Sequence, residues 1–381
     1  MPLATVDEFG SQCYYVDTGA PPNSNYTTLV LIHGAGFQGA IFERLFVHAA
    51  KHNMRLVAVN MRDYAGSTPY SPSDLADLGG DVERQAAALH ARGLEILAFL
   101  LWYIRKEGIP LLSAKTRGGW IGGGGISLLA WSWGCKMALS CIACAQQLSH
   151  DDRELLAGYM RALILLDPSA RAFGAPMIPF EDCYNPFEDA SLTPDARQKS
   201  FPEWASGYYA HSPAILDALP SRAYAEACAG LSTNRIADPP PHQTPTLLRM
   251  SSDELGKVAN EDVMAHSHMF YVFMDDKVYK DTMRRALHDT SVWPGLRVAL
   301  LWCDMSVSAT VMSSWGLLKE YQDEWPAGGR RIDAVRMKGA NHFPHWDYPE
   351  RTMQLLADII WAEDIPSVIR MRDTEEVHPR L

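Results

Sequence analysis

Residues 125–135 read Gly-Ile-Ser-Leu-Leu-Ala-Trp-Ser-Trp-Gly-Cys, in which Ser132 has a small residue two positions before it, Ala130, and two after, Gly134. This spacing predicts a sharp strand-to-helix turn, because small residues let the two backbones pass closely while one side chain rises above the sheet edge. A serine held there is a nucleophile once a base takes its proton. The base is His342, in Met337-Lys338-Gly339-Ala340-Asn341-His342-Phe343-Pro344-His345, which follows a strand pattern beginning near Ile332 and precedes the last helix. An imidazole titrating near neutrality can accept the serine proton and hand it to a leaving group. His345 competes from three residues on, but His342 occupies the strand-end turn.

Acyl transfer through a serine also requires donors for the oxyanion of a tetrahedral intermediate, best supplied by rigid backbone amides. Thr27-Thr28-Leu29-Val30-Leu31-Ile32 is a buried-strand run that breaks into the glycine-rich turn His33-Gly34-Ala35-Gly36. The expected donors are the amide of Ala35 and that of Trp133, directly after the nucleophile. Gly34 and Gly36, beside the first donor, and Trp131, beside Ser132, are expected to touch substrate.

These three motifs, in this order, resemble those of the α/β-hydrolases of the esterase, lipase and lactonase kind, over roughly residues 12–168 and 290–365. The resemblance implies an α/β fold with a mostly parallel sheet covered on both faces. It also implies a carboxylate to orient the histidine. In many members that acid follows the penultimate strand in a Trp-Gly-x-x-Asp context. Here the text is Trp302-Cys303-Asp304-Met305-Ser306, and the usual position falls on a serine, which cannot hold the histidine tautomer as a carboxylate does. Two alternatives remain open. Asp167 ends the strand run Arg161–Leu166, where certain lactonases and dehalogenases place the acid, and it is preferred; Asp304 lies two residues early on the usual loop.

The elements that must position these residues alternate along the chain. Strands are expected over Cys13–Asp17 and Arg55–Asn60, and a long helix over Gly80–Glu107, ahead of the elbow strand. Residues 1–168 and 294–381 form the core, and 169–293 an inserted, mainly helical lid, rich in proline, aromatic residues and methionine. Within it Trp204, Tyr208, Tyr209, Phe270, Tyr271, Phe273 and Met274 could wall a pocket, although most are expected to pack the lid itself. Trp204, Tyr208 and Phe270 are the chosen substrate contacts. The stretch from Pro110 to Gly125 is too glycine-rich to fold regularly and reads as a mobile surface loop without a phosphate-binding pattern.

A formal net charge of −11 over 381 residues, with no basic stripe, argues against nucleic acid or an anionic membrane as partner. No uninterrupted apolar stretch reaches about 18 residues and the first residues lack a secretory pattern, so a cytoplasmic location is expected. The closing Pro379-Arg380-Leu381 offers a peroxisomal alternative. Seven cysteines do not form the framework of a small secreted domain, and Cys141-x-x-Cys144 reads as small core residues on the helix after the elbow. No metal and no organic cofactor is predicted. The expected partner is a hydrophobic small-molecule ester or lactone, cleaved through an acyl-enzyme on Ser132. Non-hydrolytic use of the same residues, as acyl transfer or C–C cleavage, is one alternative; a receptor-like binder with little turnover, suggested by Ser306, is another.

Overall fold

A computed structural model describes residues 2–113, 115–116, 119–120, 123–175 and 178–362. Ten strands are found among them: β1 Leu3–Thr5, β2 Gln12–Asp17, β3 Thr27–Ile32, β4 Met54–Val59, β5 Lys115–Thr116, β6 Gly119–Trp120, β7 Ile126–Trp131, β8 Met160–Leu166, β9 Arg297–Cys303 and β10 Ile332–Met337. Eight of these form one sheet in the order β1-β2-β4-β3-β7-β8-β9-β10. The β1–β2 and β2–β4 pairs are antiparallel, and every pair from β4 to β10 is parallel. Every residue of β3, β4, β7 and β8 is buried, which is why these strands read as continuous apolar runs rather than alternating ones. This is the α/β architecture expected, with one more antiparallel strand, β1, at the edge.

The helices on the sheet are anchored by shape. Val82–Glu107 is long and apolar enough to cross a membrane, yet two-thirds of its most apolar window is buried within the fold. It lies against the Gly134–Cys144 helix, where a side chain on Gly93 would come within 2.5 Å of the Ser140 backbone. Cys141 and Cys144 sit in this contact as buried free thiols, both pushed up from the usual thiol range by burial.

The glycine-rich stretch departs from its reading as an irregular mobile loop. Lys115–Thr116 pairs antiparallel with Gly119–Trp120, a pairing that needs only backbone groups; residues 114, 117–118 and 121–122 lie outside the described residues. Gly124 and Gly125, entering β7 with φ of +81° and +76°, are there because the chain passes close to its neighbours: a Cβ on Gly124 would lie 1.8 Å from the Leu111 carbonyl. The Arg161 guanidinium donates to the carbonyls of Gly123 and Gly124 at 3.0 and 3.1 Å, fixing this approach. The closing tripeptide also lies outside the described residues.

Between β8 and β9 the described chain is helical, from Pro194–Ala205 to Asp276–Leu287. One of its helices runs from Glu261 to Phe273 and contains a π turn at Met264–His268. Shorter pieces lie between Ala205 and Asp276, among them a helix at Pro213–Leu216 and a separate 3₁₀ turn at Leu219–Ser221.

Candidate active site

His33, Ser132, Asp167, Ser306 and His342 all follow the carboxyl ends of parallel strands, the edge at which open α/β sheets bind ligands. Ser132 has φ of +56°, a left-handed conformation that costs about 1–2 kcal/mol for a residue with a side chain. Its backbone N–H donates to the Leu166 carbonyl at 2.9 Å, tying the turn to β8. The small residue two positions on is required by contact, since a Cβ on Gly134 would stand 2.5 Å from the His33 carbonyl oxygen.

From Ser132 a line of hydrogen bonds runs inward. Ser132 Oγ lies 2.9 Å from His342 Nε2, and His342 Nδ1 lies 2.6 Å from Asp167 Oδ2. Asp167 is wholly buried, with φ of +44°. Two further donors reach its carboxylate: the Cys303 N–H at 2.8 Å to Oδ1 and the Ser306 hydroxyl at 2.6 Å to Oδ2. Three donors on one carboxylate fix its orientation, and with it the His342 proton on Nδ1, leaving Nε2 free to accept from serine. Ser306 is held in turn by His211, whose Nε2 donates to the Ser306 carbonyl at 2.7 Å while its Nδ1 accepts from the Ser232 N–H at 2.9 Å.

Asp304, the other candidate acid, is engaged elsewhere: Oδ2 takes a hydrogen bond from Arg336 Nε at 2.8 Å and Oδ1 one from the Gly339 N–H at 2.7 Å. A two-residue offset on a tight loop turns its side chain to the flank of β10, so the alternative assignment is corrected. His345 is wholly buried between the rings of Trp131 and Phe42, with its pKa driven well below the usual histidine range by burial.

The amides of Ala35 and Trp133 have no protein acceptor among the described residues. The turn carrying Ala35 is built by His33, wholly buried, which donates from Nδ1 to the Gly34 carbonyl at 3.0 Å and accepts the Met61 N–H on Nε2 at 3.1 Å. Burial lowers its pKa to about 4, so it serves as a neutral brace. Gly34 and Gly36 shape this turn and do not line the cavity, contrary to expectation. A Cβ on Gly34 would meet the Trp131 ring at 2.9 Å, and the Gly36 N–H is already donated to the Tyr64 hydroxyl at 3.0 Å.

Above Ser132 opens a cavity of about 560 Å³ lined mostly by apolar side chains. Ala35, Trp131, Trp133 and His342 form its base, and Phe187, Phe201, Trp204, Tyr271 and Trp315 are among its walls. Trp131 is 1% exposed, and its indole N–H donates to the His342 carbonyl at 2.8 Å, bracing the base. Two chosen substrate contacts prove to lie elsewhere. Tyr208 is 1% exposed, its hydroxyl donated to Asp347 at 2.7 Å beside Thr246 and Arg249, so it fastens the insertion to the core. Phe270 packs against Gly79 and the core. Of the remaining aromatic and methionine candidates, Tyr209 and Met274 are buried away from the cavity and Phe273 faces solvent. Phe187, Phe201 and Trp315 were not among the expected residues, nor were the cavity-lining polar residues Lys136 and His268. His268 and Met264 reach the cavity from the π turn, a local irregularity that leaves no periodic trace in the sequence.

The model of the alpha/beta hydrolase family matches residues 29–355, and the chain belongs to that family. Among solved structures, a laboratory-evolved variant of potato epoxide hydrolase is similar at 15% identity and a TM-score of 0.51, over 94% of this chain and 98% of that one. A thermophilic esterase from Thermogutta terrifontis aligns at 13% identity and a TM-score of 0.46, over 97% and 99%. A bromoperoxidase from Bacillus anthracis aligns at 11% and 0.47, over 95% and 99%. Likeness at these identities is likeness of fold. No curated protein matches the chain.

Proposed function

We propose that this hydrolase cleaves a carboxylic ester or lactone of a hydrophobic small molecule through an acyl-enzyme on Ser132. The observation that carries the reading is the unbroken line Ser132 Oγ, His342, Asp167, opening at its serine end into an apolar cavity. His342 Nε2 takes the hydroxyl proton as Oγ bonds to the carbonyl carbon, and the carbonyl electron pair moves onto oxygen. The amides of Ala35 and Trp133 receive that oxyanion, and Asp167 stabilises the imidazolium. Collapse expels the alcohol, which leaves with the proton from Nε2. A water then repeats the sequence, releasing the acid and restoring Ser132. A serine in place of a carboxylate at the elbow speaks against alkyl-enzyme routes to epoxides or haloalkanes, which require attack by a carboxylate oxygen. The insertion, residues 169–293, acts as the lid that excludes water and selects the substrate.

The test is turnover of a panel of p-nitrophenyl esters and aromatic lactones by the wild type and Ser132→Ala, alongside fluorophosphonate labelling. Short or medium acyl esters are expected to be hydrolysed with labelling at Ser132, both lost in the variant. Equal turnover by the two proteins would remove Ser132 from the mechanism, and tight ligand binding without labelling would favour a receptor.

A further inference from the structure

The cavity's apolar lining is interrupted beside Ser132 by polar groups that the mechanism does not use. Lys136, four residues past the nucleophile on the Gly134–Cys144 helix, lines the cavity at only 5% exposure. Its ammonium has neither a hydrogen bond nor an ion pair with the described residues and rests on the face of Tyr279, 4.0 Å from the ring centroid. His268 also lines the cavity, its ring edge-on to Trp133 at 4.7 Å. Buried polar atoms are rarely left unpaired, and an unpaired buried cation is the costliest case. A lysine held in this way in the wall of a cavity points to a ligand that completes it.

We propose that Lys136 and His268 form an anion subsite in the substrate cavity, so that the substrate is an apolar ester or lactone bearing a second, anionic oxygen group such as a carboxylate. The charges acting on Lys136 are consistent with this. Arg171 and Asp276, which pair at 2.6 Å, cancel each other, and Arg171 spends its other donors on the carbonyls of Val272 and Met274. The remaining neighbours, the Cys135 thiol, His268 and the Tyr279 phenol, are neutral near pH 7, since burial raises the thiol and phenol and lowers the imidazole. Glu188 lines the cavity too, but its carboxylate takes a hydrogen bond from Asn185 at 2.7 Å and is not among the charges bearing on Lys136. Burial first, and Arg171 second, bring the Lys136 amine down to about 7. An arriving anion would restore its proton and form a charge-assisted hydrogen bond in a site of low dielectric.

The inference rests on the ester-hydrolase reading for one arm of its test and not for the other. In the first arm, mono-p-nitrophenyl esters of a series of α,ω-dicarboxylic acids are compared with the matching methyl-capped diesters. The wild type is expected to favour the half-ester by about 10- to 100-fold in kcat/KM, the worth of one charge-assisted hydrogen bond. Lys136→Met should bring that ratio to about one; because the readout is a ratio, a general loss of activity cancels. In the second arm, Ser132→Ala is titrated calorimetrically with mono-N-alkylamides of the same acids in buffers of different ionisation enthalpy at pH 7. Binding should take up about half a proton, as a group with a pKa of about 7 becomes fully protonated, and Lys136→Met in that background should abolish the uptake. A wild-type ratio near one, or a preference that survives Lys136→Met, would overturn the subsite. Absent turnover with proton-linked binding intact would sink the hydrolase reading and keep the subsite. Turnover without preference or proton uptake would do the reverse.

Discussion

Replacing Asp167 by Asn separates the two carboxylates more sharply than any other single change. The asparagine cannot choose its orientation freely. Its Oδ1 faces the Cys303 backbone N–H at 2.8 Å, a fixed donor that demands an acceptor, so the amide oxygen must stay there. The NH₂ group then occupies the position of Oδ2, facing both His342 Nδ1 and the Ser306 hydroxyl. Ser306 can rotate and accept. His342 can accept on Nδ1 only by moving its proton to Nε2, where it points at Ser132 and cannot take the serine proton. The substitution therefore enforces the wrong tautomer with little change in shape, an effect worth about 10⁴-fold in kcat, or about 5 kcal/mol, where a serine-histidine pair depends on its carboxylate. Asp304→Asn breaks the Arg336 ion pair and should cost about 1–3 kcal/mol of stability while leaving kcat within a few-fold. The assay is steady-state ester hydrolysis with active-site titration, and thermal unfolding of each variant. A kcat within tenfold of wild type for Asp167→Asn, or an equal loss for Asp304→Asn, would refute the tautomer argument.

Gly134→Ala places a methyl 2.5 Å from the His33 carbonyl and 2.9 Å from that of Ile32, both backbone atoms that cannot step aside, so a loss of about 2–4 kcal/mol is expected by denaturant unfolding; a change under about 0.5 kcal/mol would count against the close-passage account of the elbow. Stability should also fall on acidification below about pH 6.5. His33 and His268 have pKa values lowered to about 4 and about 3 by burial, so the unfolded chain binds protons there that the fold excludes. Each contributes a slope of up to about 1.4 kcal/mol per pH unit, lost from pH 6.5 down to its folded pKa. Unfolding free energies that stay flat from pH 7 to 4 would contradict this.

The parallel core was legible because strands buried on both faces leave unbroken apolar runs, as in Thr27–Ile32 and Met160–Leu166. Ser132 and His342 stood out because each sits at a backbone turn after a strand, and turns leave local signatures such as Gly134. The acid stayed open because β8 and β9 are adjacent and parallel, so Asp167 and Asp304 end neighbouring strands. Only side-chain direction separates them, and Arg336, which draws Asp304 away, lies 32 residues further along the chain. The cavity walls were least legible. Tyr208 and Trp204 are both aromatic residues of the insertion, four apart, yet one is tied to Asp347 and the other lines the cavity. Composition cannot tell an anchor from a wall when the partner is distant in sequence.

The contact between Ser306 and Asp167 bears on how relatives of this chain are recognised. The two side chains meet 2.6 Å apart from neighbouring strand ends, so a carboxylate at either address serves the same imidazole through the same small volume. What the chemistry requires is a charge at a place, and the chain offers two routes to deliver it. A lineage can shift that charge from one strand to the next by an exchange of Asp and Ser across a single hydrogen bond. A search keyed to the address of Ser306 alone would pass over the carboxylate that this chain carries one strand away, at Asp167.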